Sequence, residues 1–209
     1  MGRIYVAHEG INAQLSLPSE KFSSFKDHLN TISFLKDIRI NVAVEHYKKS
    51  FLKLTIKVRK KIVADGLDDK SFDVTKKGIH LDAQKFNHLL DDDDTICIDM
   101  RNHYESEIGH FRVAITPDVD TFRDSLPLIE KNMSEYRENK KLLMYCTGGI
   151  RCEKISAFLK TEGYSSVAQL KGGILNFLEH SKDSKDNDSW IGECFVFDNR
   201  VALDKRLET

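Results

Sequence analysis

Cys146 closes an apolar run, Leu142-Leu143-Met144-Tyr145, and is followed by Thr147-Gly148-Gly149-Ile150-Arg151-Cys152. A helical pattern begins near Arg151. A strand that ends in cysteine, a glycine pair and a helix start together describe a loop whose backbone N–H groups converge on the sulfur. The helix N-terminus adds positive potential there. Such a field favours thiolate over thiol, and the thiolate is the nucleophilic form. Cys146 is therefore read as a reactive nucleophile, with Gly148 and Gly149 supplying the backbone freedom the cradle needs.

The loop is Cys-x4-Arg, one residue shorter than the Cys-x5-Arg of cysteine phosphatases. Loop length sets cavity radius, so the shorter cradle suits a persulfide or a small anion rather than a phosphate. Cys152, in the first turn of the helix, is placed to resolve an oxidised or persulfidated Cys146 as a disulfide; it reads equally as a buried helix cysteine. Cys97 and Cys194 lie in apolar runs and read as core. A second constellation is Asp99-Met100-Arg101-Asn102-His103-Tyr104-Glu105, followed by Gly109-His110. Asp99 sits at the carboxyl end of a buried strand, where parallel sheets bind ligands. A structural salt bridge from Asp99 or Glu105 to Arg101 is the competing reading. A third is basic: Lys48, Lys49, Lys53, Lys57, Arg59, Lys60 and Lys61, with no acid among them. On a strand Lys53, Lys57 and Arg59 share a face. That stripe is either a phosphate-contacting surface or a solvated sheet face.

The elements that must hold these residues fall into two patterns. Arg3 to Ala7 and Ala13 to Leu17 read as strands, and a helix opens at Pro18-Ser19-Glu20 with Ser19 as N-cap. Its stripe is Phe22, Phe25, Leu29 and Ile32. Ile38 to Val44 and Phe51 to Val58 alternate as strands, the latter with Leu52, Leu54, Ile56 and Val58 on one face. This predicts a small ferredoxin-like α+β module over residues 1–72. A polar stretch from Asp65 to Lys77 reads as linker. From Ala83 onward strands alternate with helices: a helix to Leu90, a strand over Thr95 to Met100, a loop or short helix from His103 to Gly109, and a short strand at Ala114-Ile115. A helix over Thr121 to Lys131, interrupted by Pro127, follows. Then come a strand over Lys141 to Tyr145, a helix over Arg151 to Glu162, a strand over Ser166 to Leu170 and a helix over Ile174 to His180. That alternation predicts an α/β domain with a parallel sheet over residues 73–182. Residues 183–209 form a C-terminal extension, polar to Ser189 and ordered from Trp190.

The net charge of −1 conceals a basic first third and an acidic remainder, consistent with two domains and a polyanion-binding role for the first. No apolar run is long enough to span a membrane, and no secretory leader or myristoylation pattern is read at Met1-Gly2-Arg3. The 4 cysteines have no disulfide-framework spacing and no CxxC, so a zinc site is not expected and a reducing cytoplasm is the expected setting. The histidines are scattered and form no iron-ligating pattern. No dinucleotide fingerprint occurs, so no cofactor is evident.

The order Asp99-x-Arg101-x3-Glu105, Gly109-His110, the Cys146 loop and Leu170-x-Gly172-Gly173 resembles rhodanese domains, from about Lys77 to His180. The resemblance implies a persulfide on Cys146, with Asp99 and Arg101 bracing the loop. A broader set covers nearly the whole chain: Ala7-His8-Glu9-Gly10-Ile11-Asn12, Phe51-Leu52-Lys53 with Arg59-Lys60-Lys61-Ile62-Val63, Asp99-Met100-Arg101-Asn102, Gly109-His110-Phe111-Arg112, Cys146 to Lys154, and Gly192-Glu193-Cys194-Phe195-Val196-Phe197-Asp198. These resemble the tRNA uridine hydroxylase family. Its members usually begin with a further strand and helix and often end in a cysteine-rich segment, neither of which is in this sequence.

The family resemblance implies oxygen-dependent hydroxylation of the wobble uridine, position 34, to 5-hydroxyuridine. It also implies O2 as co-substrate, a tRNA anticodon stem-loop as partner, and His8 and His110 as motif histidines. On this reading Lys53, Lys57, Arg59, Lys60 and Lys61 contact RNA, Cys146 adds to uridine C6, and Thr147 to Cys152 form the loop. Asp99, Arg101, Glu105 and His110 support it. Two alternatives stay open: a sulfurtransferase working through a Cys146 persulfide, and a non-catalytic RNA-binding or sulfur-carrier module. The sequence fixes no oligomeric state.

Overall fold

The computed structural model describes residues 1–42, 50–68, 70–182 and 188–208. The chain divides into two compact units, Met1–Ile62 with Asp198–Arg200, and Val63–Phe197 with Val201–Thr209.

In the first unit, β1 (Gly2–Ala7) and β2 (Gly10–Leu15) form a hairpin, α1 (Phe22–Thr31) follows, and β3 (Leu54–Val58) returns parallel to β1. The sheet order is β2-β1-β3. The hairpin is fastened at its turn by Glu9, whose Oε1 accepts the Ile62 N–H at 2.6 Å. The apolar stripe of α1 is half-buried. Entry to α1 differs from expectation. Ser19 begins a 3-10 turn over Ser19–Lys21, makes no side-chain cap, and the α-helix starts only at Phe22. Of the strand expected over Ile38 to Val44, residues 38–42 are irregular, and the rest lie outside the described residues, as do Lys48 and Lys49.

β3 is shorter than its alternating pattern because only Leu54–Val58 pairs fully with β1. Single bonds extend the ladder at each end, from Gly2 N–H to the Lys53 carbonyl at 3.1 Å and from Arg59 N–H to the Val6 carbonyl at 2.8 Å. The alternation holds, but its apolar side is exposed: Leu54 by 51%, Ile56 by 61% and Val58 by 85%. Periodicity reports that a strand has two faces, not which of them is covered.

The second unit is built on a four-stranded, all-parallel sheet. Its strands are β4 (Ile79–Leu81), β5 (Thr95–Asp99), β7 (Lys141–Tyr145) and β8 (Val167–Leu170), in the order β4-β8-β7-β5. The helices are α2 (Ala83–Leu89), α3 (His103–Ile108), α4 (Phe122–Met133), α5 (Ile150–Thr161) and α6 (Gly173–Ser181). β7 is buried along nearly its whole length, as its continuous apolar run requires of a parallel strand covered on both faces.

Four local expectations are revised. Pro127 does not interrupt α4; one lost backbone bond is outweighed by the buried stripe Phe122, Leu126, Ile129 and Met133. Ala114-Ile115 forms no strand, only an isolated bridge from Ile115 to Ile98, because Pro117 follows closely. A short strand, β6 (Gly109–Phe111), pairs antiparallel with β9 (Trp190–Gly192), and β10 (Cys194–Phe195) with β11 (Ala202–Leu203). β4 and β6 are only three residues each, too short to show a period.

The described residues between Val63 and β4 form no regular element, yet the start of this stretch is fixed. Asp65 is buried, its Oδ2 2.5 Å from the Nζ of Lys154 on α5, which is also buried. Its Oδ1 accepts the Leu67 N–H at 3.0 Å. Removing one partner of a buried ion pair strands the other charge and costs about 3–5 kcal/mol. Asp65→Ala should lower stability in urea denaturation by that order, whereas Asp65→Leu with Lys154→Met should recover most of it. Equal losses in both variants would show that the ion pair is not what holds this segment.

Candidate functional site: a cysteine loop at the carboxyl ends of the sheet

Cys146 stands at the end of β7, and the loop Cys146–Gly149 leads into α5. Three features fold it. Gly149 takes φ 93°, the left-handed N-cap of α5, and its N–H donates to the Cys146 sulfur at 3.1 Å. The start of α6 binds the loop from the other side: Ile174 N–H donates to the Cys146 carbonyl at 3.0 Å and Leu175 N–H to the Thr147 carbonyl at 3.2 Å. This approach requires glycine at 173, where φ is +70° and a Cβ would lie 2.5 Å from the Thr147 carbonyl oxygen. The Leu170-x-Gly172-Gly173 motif is thus a docking surface for the cysteine loop.

The electrostatics converge on the sulfur. Burial by itself pushes the Cys146 thiol up. A hydrogen bond from the Cys152 side chain, the Arg151 charge and the backbone N–H groups of Cys152 and Arg151 outweigh it and bring its pKa down to about 6. Cys152 moves the other way, raised by burial and by its bond to Cys146, and so remains a protonated donor. Cys152 is buried in the first turn of α5, as the helix-cysteine reading expects, and its side chain bonds to that of Cys146.

Glu105 is the hub of the site. Its Oε1 and Oε2 accept two parallel bonds from Arg151 Nη1 and Nη2, both at 2.7 Å. Its carboxylate also accepts the Asn102 N–H at 3.2 Å and the Thr147 hydroxyl at 3.4 Å. Glu105 and Arg151 are both buried. Burial works against the Arg151 charge, but the Glu105 hydrogen bonds and charge hold it above its ordinary range. The salt bridge expected at Arg101 goes to Asp99, not to Glu105. Arg101 Nη2 lies 2.6 Å from Asp99 Oδ2 and 2.5 Å from the Gly109 carbonyl, which it reaches as donor.

The Arg101 guanidinium sits 5.7 Å from the Tyr145 ring centroid and 5.4 Å from that of Trp190. Phe111 meets Tyr145, Phe177 and Trp190 edge-on at 4.8, 4.8 and 5.1 Å. Asp99 and Arg101 are therefore one bond network removed from the sulfur. His110 is further still, its Nδ1 bonded to the Ser106 carbonyl at 2.9 Å on α3. His8 is exposed in the β1–β2 turn of the other unit. Lys53, Lys57, Arg59 and Lys60 are exposed and Lys61 half-buried, with Arg59 stacked over Tyr5 at 5.3 Å.

Sequence reasoning missed three aromatic residues. Tyr104, Phe195 and Phe197 form a chain of edge-to-face contacts at 5.5 and 5.0 Å, and Phe197 lies 5.8 Å from the Arg151 guanidinium. Their only sequence signal was the alternation of Phe195 and Phe197 in the last family motif. No group of His, Cys, Asp and Glu among the described residues is arranged to hold a metal ion. No helix among them is long and apolar enough to cross a membrane.

A buried strand, a cysteine loop between two helix N-termini and a carboxylate-clamped arginine define a rhodanese-type domain, and the rhodanese-like domain family matches residues 82–180. Residues 1–62 match the UPF0176 acylphosphatase-like domain. Over nearly its whole length the chain is similar to proteins named tRNA uridine(34) hydroxylase. It is 51% identical to the protein of that name from Leptospira interrogans serovar Lai, over 96% of this chain and 54% of the relative. It is 47% identical to those of Enterobacter sp. strain 638 and Salmonella typhi, over 96% of this chain and 58% and 57% of theirs. The chain spans somewhat more than half the length of these curated relatives.

A thiolate held this way should react with alkylating agents at a rate that rises through about pH 6 and is flat above it. Cys152→Ala removes a donor and should move that midpoint upward; Cys152→Ser, which keeps an O–H, should move it less. A wild-type midpoint in the ordinary thiol range would refute this account of the cradle.

Proposed function

We propose that this chain carries the chemistry of tRNA modification: oxygen-dependent hydroxylation of the wobble uridine to 5-hydroxyuridine, with Cys146 as nucleophile. The name of the relatives supports the reaction class. The observation that carries the reading is the charge balance at the loop. Arg151 is already neutralised by Glu105 through two 2.7 Å bonds, so a Cys146 thiolate leaves the constellation net negative. A neutral, planar uracil meets no charge repulsion there, whereas an anionic substrate must approach an anion without a free arginine to receive it.

In the proposed reaction the thiolate adds to C6 of uridine and electron density moves to C5. C5 takes one atom of O2. The other leaves as water, with two protons and two electrons drawn from a thiol reductant. Loss of the C5 proton and of the sulfur from C6 then restores the ring and the Cys146 thiolate. Cys152 and the loop N–H groups stabilise the thiolate on its departure, and Glu105 holds Arg151 in place. Lys53, Lys57, Arg59, Lys60 and Lys61 contribute phosphate contacts whose strength falls with salt. Asp99, Arg101 and His110 act as supports of the scaffold, the partner is the anticodon stem-loop, and the setting is the cytoplasm.

The second reading is sulfur transfer through a Cys146 persulfide, favoured by the match to the rhodanese-like domain. Nucleoside mass spectrometry of tRNA from cells lacking the protein separates the two. Wild type should restore 5-hydroxyuridine-derived nucleosides, and Cys146→Ser should restore essentially none. Arg151→Ala should restore a reduced level. Full restoration by Cys146→Ser would remove the nucleophile from the account. Undiminished modification in cells lacking the protein, with persulfide turnover on thiosulfate, would favour sulfur transfer.

A further inference from the structure

The cysteine loop explains how a uridine could be attacked, but nothing in it grips a base. The neighbouring aromatic residues could do so. Tyr104 is the residue before Glu105, the arginine clamp, and is 39% exposed. Phe195 and Phe197 are half-buried. The three meet edge-to-face, centroids 5.5 Å apart for Tyr104 and Phe195 and 5.0 Å for Phe195 and Phe197. An edge-to-face contact covers one face of only one of its two rings, so each pair keeps ring faces outside that contact. The run ends at the active loop, where the Arg151 guanidinium lies 5.8 Å from the Phe197 centroid. Tyr104 is also fixed from its polar end, since Asn102 Nδ2 donates to its hydroxyl at 2.9 Å.

We infer that Tyr104, Phe195 and Phe197 form a stacking wall for an unpaired RNA base beside the Cys146 loop. The inference rests on the tRNA reading and adds to it the residues that hold the base. Proteins that bind single-stranded RNA place splayed-out bases on aromatic rings, and the π-face of any base suits such a wall, which makes stacking tolerant of sequence. Phe197 packs at the cation of Arg151, which lies in the first turn of α5 and acts on Cys146, so a base on the wall is contiguous with the sulfur's surroundings. The contribution is positioning: the rings perform no chemistry. All three residues belong to the second unit, so the wall needs no particular arrangement of the two units.

The test is the affinity of the full chain for a fluorescently labelled anticodon stem-loop RNA, with a second RNA lacking the base at the wobble position. Phe197→Leu and Tyr104→Leu should weaken binding of the intact RNA about tenfold each, within the range of one base–aromatic stack. The same substitutions should change binding of the abasic RNA little. Tyr104→Phe and Phe197→Tyr should behave as wild type. Tyr104→Leu, at an exposed position, guards against loss through misfolding. Equal weakening with both RNAs, or no weakening with either, overturns the wall, as does absence of stem-loop binding by wild type. Hydroxylation is measured separately. Base-dependent losses in a chain that hydroxylates nothing would leave the wall standing and remove the reaction. Hydroxylation at the wild-type KM in both leucine variants would do the reverse.

Discussion

The doubly hydrogen-bonded pair between Glu105 and Arg151 is the constraint on which the site depends. It ties α3, which follows β5, to the first turn of α5, which follows β7, so two neighbouring strands deliver their helices to one point. It is buried, so each charge needs the other. It also decides what Arg151 is for. An arginine spent on a carboxylate is not an open receptor for an anionic substrate. It adds positive potential beside Cys146 and otherwise acts as a brace. The thiolate is left as the reactive group of the loop, held by N–H groups and by the Cys152 thiol.

Around that pair the structure repeats one device, a buried charge fixed to a backbone or to a partner. Arg101 is clamped by Asp99 and packed between Tyr145 and Trp190. Lys154 is held by Asp65. The Asp65–Lys154 pair joins segments distant in sequence, and Arg101, two residues from Asp99, reaches distant segments through the Gly109 carbonyl and the Tyr145 and Trp190 rings. The loop can therefore be rigid while its own residues remain small. Gly173 completes this by letting α6 reach the loop's carbonyls.

Much of this was legible in the sequence, for physical reasons. The apolar run of β7 and the glycine pair after Cys146 are local signals, and they located the strand, loop and helix to within a residue or two. The parallel sheet followed from alternation of strands and helices. The partner of Glu105 was not legible, because Arg101 is near in sequence and Arg151 is near only in space. Pairing of β6 with β9 escaped for the same reason, and strands of three residues show no period. Asp65 looked like linker because composition alone does not reveal a buried carboxylate. The exposed face of β3 shows the converse limit: alternation of Leu54, Ile56 and Val58 identified the strand and was silent about what covers it.

The central claim is that Cys146 attacks a uracil ring rather than a sulfur donor. Its most direct test is covalent trapping with a stem-loop RNA carrying 5-fluorouridine at the wobble position. Fluorine cannot leave as the C5 proton does, so a sulfur–C6 adduct cannot complete the cycle. The account predicts, with O2 and a thiol reductant present, a denaturant-stable protein–RNA complex whose mass is the sum of the two plus one oxygen atom, with the RNA attached at Cys146 on peptide mapping. Binding of this RNA with no adduct, in a protein whose Cys146 accepts sulfur from thiosulfate, would contradict it.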